Sequence, residues 1–184
     1  MVRFRQIAAY VRTGKVGVHV RNKTAKFYIG GGGSGISRDM LYSIHKNKVL
    51  EKGIMEKIWI DLHDAAVKVL KPREVSRMIE AGGVAAAVES SSGKIYVGVC
   101  VDTACTLGVC AERNAIFNMI TNGEDAIRRV IAVDSDGKAI PPCGACRELM
   151  SQLMPEHYRE IEIMMDYANS RMVTLGDLTP EWWL

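Results

Sequence analysis

The sequence lacks any run approaching the roughly 20 apolar residues of a membrane span, and its first 30 residues lack the apolar core of a secretory signal. A membrane association is therefore not expected, and the chain is expected to be soluble and cytoplasmic. It lacks the Gly-x-x-x-x-Gly-Lys-Ser/Thr pattern of a phosphate-binding loop, although residues 30–35 are glycine except for Ser34. That stretch reads as a flexible linker. Its four histidines, His19, His45, His63 and His157, lack the spacing of metal ligands and read as structural or surface residues. Finally, it lacks an even number of cysteines. Five of them, with a Cys-x-x-Cys pair, argue for metal or redox chemistry over a disulfide framework. What is present suffices for one compact domain with a real core, because the chain has 184 residues and 48% of them are hydrophobic.

The net charge of +3 conceals a division at Met55. Residues 1–54 hold 11 Lys/Arg against Asp39 and Glu51, a balance of +9, whereas residues 55–184 hold 13 against 19 acidic residues, a balance of −6. Such an asymmetry separates pieces of different origin or with different partners. All five cysteines, Cys100, Cys105, Cys110, Cys143 and Cys146, fall in the acidic piece.

In the basic piece, residues 16–20 and 25–29 alternate apolar and polar around Asn22-Lys23-Thr24, as a β-hairpin would. After the linker, Ser37 can cap a helix over residues 38–52 that stops at Gly53. The expected organisation is a basic extension with its linker over 1–36, a connecting helix over 37–54 and a main domain, the acidic piece, over 55–184. In the last, Ile58, Leu62, Ala65, Ala66, Val69 and Leu70 recur at helical spacing before Pro72. Apolar runs at 83–88 and 95–101 flank a Ser-Ser-Ser-Gly-Lys turn and predict a hairpin. Helices over 111–120 and 145–154 then alternate with strands over 130–133 and 161–165, and 172–173 adds a short one. Two strands followed by this alternation predict an α/β fold with a mixed sheet covered by helices on both faces.

Cys110-Ala111-Glu112-Arg113 and Pro141-Pro142-Cys143-Gly144-Ala145-Cys146-Arg147 each stand where a loop turns into a helix. A helix N-terminus favours the thiolate over the thiol, and the thiolate is the zinc ligand. Two such ends facing one another can offer Cys110, Cys143 and Cys146 to one Zn²⁺ and leave its fourth position open, as in catalytic sites. Glu112, two residues from Cys110, is close enough to act on a metal-bound water without being a ligand. Arg113 and Arg147 adjoin the ligands and are expected to donate to the sulfurs. Other readings stay open: a closed site with Cys105 as fourth ligand would be structural, and Cys143 with Cys146 alone would be a redox pair. Cys100 reads as a small core hydrophobe.

The double motif resembles the zinc-dependent cytidine deaminases, in particular the small homotetrameric form with three cysteine ligands, and also blasticidin S deaminase. The resemblance covers about residues 55–184. It implies a three-layer α/β/α fold, Zn²⁺ on Cys110, Cys143 and Cys146, proton transfer by Glu112, support of the thiolates by Arg113, and hydrolytic deamination of a small nucleoside or nucleoside analogue. It also implies a homotetramer, with Asp102 and Ala111 on the substrate side. Where the family carries Asn-x-Glu-Asn-Ala before the first motif, this chain has Cys100-Val101-Asp102-Thr103-Ala104. Where the family has a phenylalanine against the pyrimidine, it has Gly82. A C-terminal aromatic that packs near a neighbouring subunit's site in the family corresponds to Trp183, although Trp182 and Trp183 also read as plain anchors of the chain end.

Two other classes of function compete. In the basic piece Arg3, Arg5, Arg12, Lys15, Arg21, Lys23 and Lys26 are interleaved with Phe4, Tyr10, Phe27 and Tyr28, a mixture suited to single-stranded nucleic acid. A nucleic-acid partner is nonetheless not expected, since every residue assigned to chemistry lies in the acidic piece. A non-catalytic, zinc-stabilised oligomer is the remaining alternative.

Overall fold

A computed structural model of the chain describes residues 17–21, 24–28 and 55–184. The chain forms two units, residues 1–42 and 43–184, dividing within the segment read as a connecting helix. That helix and the glycine-rich linker lie outside the described residues, as does His45. In the first unit β1 (Gly17–Arg21) and β2 (Thr24–Tyr28) pair antiparallel, with Val18 opposite Phe27 and Val20 opposite Ala25. The hairpin expected there is present, its strands displaced by one residue.

The second unit begins with α1 (Lys57–Val69) and continues through β3 (Arg73–Ser76), β4 (Ile79–Ser90), β5 (Ile95–Thr103), α2 (Ala111–Thr121), β6 (Ile127–Val133) and β7 (Ala139–Ile140). It ends with α3 (Gly144–Leu153), β8 (Glu162–Asp166), β9 (Arg171–Thr174) and the short α4 (Leu175–Leu178). β4 is the long central strand. β5 runs antiparallel along one side of it, while β3 and then β6 occupy the other. β8 joins β6 in parallel, and β7 and β9 pair antiparallel with β6 and β8. The sheet is therefore mixed, as the pattern predicts.

Because strand side chains alternate, Ala85 and Ala87 face one layer while Ala86 and Val88 face the other. The first layer is α1, whose Trp59, Leu62 and Ala66 are buried against Ile131, Val133 and Met164. The second is formed by α2 and α3, with Ala115, Ile116, Met119, Cys146 and Met150 buried around Val130 and Ile163. This is the expected three-layer α/β/α arrangement.

Two glycines set the approach of the layers. A Cβ at Gly98 on β5 would lie 2.3 Å from the Ala115 nitrogen and 2.7 Å from the Ala111 carbonyl oxygen, so only glycine lets α2 sit this close. Asn114 and Asn118 staple the same contact, their side-chain amides donating to the Val99 and Val97 carbonyls at 2.9 and 3.1 Å. Gly82 has φ +80° where the β4–β5 register shifts between Ala81 and Ala85, and a Cβ there would meet the Lys71 carbonyl at 2.2 Å. The bulge bends β4 next to the site. β3 and β7 are elements that the sequence pattern does not reveal.

Candidate active site

α2 and α3 present their N-terminal ends to one another. Val109 makes an antiparallel bridge to Val101 of β5, with both hydrogen bonds at 2.9 Å, and the next residue, Cys110, is the N-cap of α2. Cys143 is the N-cap of α3, and Cys146 lies fully buried in its first turn. The Sγ of Cys143 is 3.5 Å from that of Cys110 and 3.4 Å from that of Cys146, and all three sulfurs lie within 4.8 Å of one another.

These spacings suit zinc. With Zn–S bonds of about 2.3 Å, two sulfurs on a tetrahedral edge would be ~3.8 Å apart, so small adjustments would close the site around the ion. Among the described residues, the cluster with metal-binding spacing contains these three cysteines, and exposed Cys105 is not part of it. The four-cysteine structural reading is thereby displaced. His63 and His157 also stand outside it: His63 bonds the Gly137 carbonyl and stacks on Tyr167 at 3.8 Å, and His157 faces Glu160.

The three thiols do not share one electrostatic fate. Burial and the adjoining Cys143 push the Cys110 pKa up, against the opposing bond from Arg113. Burial, the Glu112 charge and the other sulfurs push Cys146 up strongly. Burial acts in the same direction on Cys143, but the backbone N–H groups of Cys146 and Ala145 and the neighbouring thiols outweigh it and hold its pKa down. The expectation that helix N-termini favour thiolates thus applies to Cys143 and fails at Cys110, where desolvation and crowding of like groups prevail.

Arg113 takes the place expected of it, its Nη2 donating to the Cys110 Sγ at 3.8 Å. Arg147 does not. Its Nε donates to the Pro142 carbonyl at 2.9 Å and its Nη1 to the Leu178 carbonyl at 3.0 Å, so these donors bind main chain and not sulfur. Its position after Cys146 turns the side chain away from the ligands, toward the C-terminal turn.

Beside the sulfurs lies a cavity of about 480 Å³ whose wall includes Cys110, Ala111, Glu112 and Cys143 together with Cys100, Asp102 and Thr103. Glu112 is buried, and desolvation raises its pKa, partly offset by a backbone N–H, the Cys146 thiol and Arg113. A carboxyl group so placed holds a proton more readily than one in water. Cys100 is more than a core hydrophobe. Its sulfur accepts the Val84 N–H at 3.2 Å, its thiol donates to Asp102 Oδ2 at 3.4 Å, and it lines the cavity. Period-two spacing from Asp102 on β5 was the signal available in the sequence for that role. Val84, Ile140 and Pro141 also line the cavity and were not anticipated. Gly82 is not among the lining residues, and neither is Trp183. Trp183 is 70% exposed and donates its Nε1 hydrogen to the Glu148 carboxylate at 3.1 Å.

Comparison with known proteins bears on this geometry. Residues 61–159 match the family model described as the cytidine and deoxycytidylate deaminase zinc-binding region. The chain is 31% identical over 108 residues to the blasticidin-S deaminase of Bacillus cereus, covering 53% of this chain and 74% of that protein. It is 34% identical over 73 residues to a cytidine deaminase of Halalkalibacterium halodurans, covering 39% of this chain and 55% of that relative, about half its length. Among solved structures, the cytidine deaminase of Mycobacterium tuberculosis superposes with a TM-score of 0.56 at 26% identity, over 68% of this chain and 97% of that one. The Mycobacterium leprae cytidine deaminase does so with a TM-score of 0.54 at 28% identity, over 67% and 98%.

Proposed function

Since the chain belongs to the cytidine and deoxycytidylate deaminase zinc-binding family, we propose that it is a zinc-dependent hydrolytic deaminase converting cytidine, deoxycytidine or a related small aminated heterocycle to the oxo product with release of ammonia. One observation carries the reading: a buried carboxyl, Glu112, shares a cavity wall with two of three convergent cysteine sulfurs. A closed structural site would give that carboxyl nothing to do.

Cys110, Cys143 and Cys146 would hold the zinc, which would supply the Lewis acidity that makes water nucleophilic near neutral pH. Glu112, whose burial favours the protonated form more than water does, is the group placed to deliver a proton to the ring nitrogen beside the amine-bearing carbon as that carbon is attacked. The same carboxylate then moves the proton of the added hydroxyl onto the amine, which leaves as ammonia. Arg113 offsets negative charge at Cys110 and so limits the loss of acidity that three thiolates impose. A cavity of about 480 Å³ is in the range of small-molecule sites, and Asp102, oriented by the Cys100 thiol, accepts a substrate hydroxyl across it.

The longer match to a blasticidin-S deaminase supports a substrate range that extends beyond cytidine and deoxycytidine themselves. The working unit in this reading is a homotetramer. Trp183, absent from its own chain's cavity wall, then completes a neighbour's site, and the exposed Phe117 and Ile120 of α2 supply apolar surface to be covered. Five free cysteines suit a reducing compartment such as the cytoplasm.

The test is a panel of cytidine, deoxycytidine, cytosine, blasticidin S and aminated purine nucleosides, read by ammonia release with zinc content measured in parallel. Glu112→Ala is expected to keep its zinc and lose activity by about 10²–10⁴-fold. Full activity in that variant sinks the mechanism, and no ammonia from any panel member sinks the proposed reaction.

A further inference from the structure

The guanidinium of Arg147 is not used by the chemistry above, yet it links two segments more than 30 residues apart in sequence. We infer that Arg147 is a positioning residue that locks the Cys143 turn of the metal centre to the C-terminal segment, so that metal retention and the order of that segment depend on one another. The inference rests on the zinc assignment above and goes beyond it.

The approach to Cys143 has an unusual weakness. Pro141 and Pro142 carry no backbone N–H. The two residues before the ligand cannot donate main-chain hydrogen bonds, and their position has to be fixed through carbonyls. The Pro142 carbonyl receives the Arg147 Nε hydrogen at 2.9 Å, and one residue further on the Cys143 carbonyl receives the Arg147 backbone N–H at 3.0 Å. One residue thus grips the turn from side chain and main chain together.

The other arm of the fork reaches the chain end. Nη1 donates at 3.0 Å to the carbonyl of Leu178, the last residue of α4, where a helix leaves carbonyls without partners of its own. α4 is itself well fixed. Leu175 is fully buried in the same core cluster as Cys146 and Met150, and buried Thr179 donates its hydroxyl hydrogen to the Leu175 carbonyl at 2.7 Å. A Thr174–Asp177 capping box closes its start. Arg147 therefore connects a turn with few tethers to a well-tethered one. A planar fork can serve two carbonyls at once in fixed directions, whereas a lysine ammonium on a flexible stem reproduces that poorly.

Coupling of this kind is reciprocal. Zinc on Cys143 should steady α4 through Arg147, and α4 should slow zinc loss by the same route. In the zinc-loaded full chain, Arg147→Ala is expected to release zinc to a chelating dye about 10–100-fold faster than wild type, with Arg147→Lys between them. Ser151→Ala, which removes a bond to the Arg147 carbonyl from within α3, is expected to release zinc at the wild-type rate. Amide exchange at residues 175–179 should rise when zinc is stripped from wild type. In folded Arg147→Ala it should be high with or without the metal, a response that mere loss of stability would not produce. A wild-type release rate in Arg147→Ala, or exchange at 175–179 that ignores zinc in the wild type, overturns the inference. If Arg147→Ala does not fold, the zinc response of wild-type exchange and the Arg147→Lys release rate decide it. A wild-type chain that takes up no zinc overturns the metal assignment and, with it, this coupling.

Discussion

Two polar clusters sit within one domain and differ in one respect. On the β4–β6–β8 side, Arg129 is surrounded by carboxylates: its Nη1 reaches buried Glu89 at 2.9 Å, its Nε reaches Glu162 at 2.7 Å, and its Nη2 reaches Glu56 at 3.2 Å. Trp59 adds a ring face 5.9 Å from the same guanidinium. At the mouths of α2 and α3, three thiols and Glu112 are gathered with Arg113 at their edge, in contact with one sulfur. In the first cluster the guanidinium bonds all three of the carboxylates around it, whereas in the second Arg113 reaches one sulfur only. Burial first, and for the two cysteines crowding by neighbouring acidic groups, raises the pKa values of Cys110, Cys146 and Glu112, whereas Cys143 is held down by backbone N–H groups and the adjoining thiols. An ion pair completed by the chain itself is a structural joint, whereas convergent titratable groups with a single cation at their edge are the arrangement of a functional site.

The largest effect should come from removing a member of the second cluster. Cys146→Ser, which nearly preserves side-chain volume, is expected to abolish zinc binding and lower deamination by more than about 10³-fold, since the metal supplies the nucleophile. Zinc analysis beside an ammonia assay checks it. The metal-free wild type should gain stability on zinc addition, by about 2.7 kcal/mol at zinc 100-fold above its dissociation constant, measured by urea unfolding. The pH dependence has a definite sign. Protons on Cys110 and Cys146, whose pKa values are raised, must leave before the sulfurs can ligate, so zinc affinity should climb as pH rises from about 6 to 8. Affinity independent of pH would mean that these thiols are not the ligands.

The Arg129 cluster should respond in the opposite way. Arg129→Ala leaves Glu89 buried without its partner and is expected to cost about 3–5 kcal/mol of stability while zinc stoichiometry stays at the wild-type value. Adding Glu89→Leu to that variant should recover much of the loss, because the stranded charge is then gone. Loss of zinc in Arg129→Ala under conditions where the protein remains folded would break the separation between the clusters. The reverse test is Gly98→Ala, which disturbs the second cluster from beneath. A methyl group 2.3 Å from the Ala115 nitrogen has to push α2 outward, costing about 1–3 kcal/mol. Since Cys110 and Glu112 ride on the end of α2, a displacement near 1 Å should also lower turnover by about 10²-fold. Unchanged turnover would show that the helix shift does not reach its N-terminus.

The division between what the sequence revealed and what it concealed follows the range of the forces involved. α1, α2 and α3 are legible because their apolar periodicity is local, and the convergence of Cys110, Cys143 and Cys146 is legible because they lie at helix starts that the chain itself marks. β3 was hidden because all four of its residues are exposed, leaving no apolar alternation to detect, and β7 is only two residues long. The extension of β4 back to Ile79 is not legible because the apolar run begins at Gly83, beyond the bulge that interrupts the ladder between Ala81 and Ala85. The partners of Arg147 are hidden from the sequence for a different reason. Its neighbours in sequence are sulfurs, but a long guanidinium side chain finds partners through space, and the Leu178 carbonyl belongs to a segment 31 residues away. For Cys100, strand alternation and residue type indicate burial, which the structure bears out, but they do not reveal the Val84 and Asp102 groups that its sulfur engages.

The smallest effect on the chain's own stability, and the finest test of how the second cluster is completed, is expected at Trp183. Its ring is mostly exposed, and its hydrogen-bond partner Glu148 lies on the solvent side of α3, so Trp183→Ala should move the unfolding midpoint by no more than about 2 °C. If the indole only anchors the chain end, nothing else should change. If it stacks on a substrate ring in a neighbouring copy, KM should rise by about 5–30-fold, the equivalent of roughly 1–2 kcal/mol of stacking, with turnover nearly unaffected because Glu112 and the sulfurs are untouched. Trp183→Phe, which keeps an aromatic face and discards the N–H to Glu148, separates the two roles: it should retain most of the affinity if stacking matters. Mixing Trp183→Ala with Glu112→Ala sharpens the result. Each mixed assembly would then contain sites with an intact carboxyl and a tryptophan donated by the other variant, and a wild-type KM in that fraction requires the aromatic to arrive from a second chain. A KM in the mixture no better than that of Trp183→Ala alone would confine Trp183 to its own chain and leave the cavity complete within one copy.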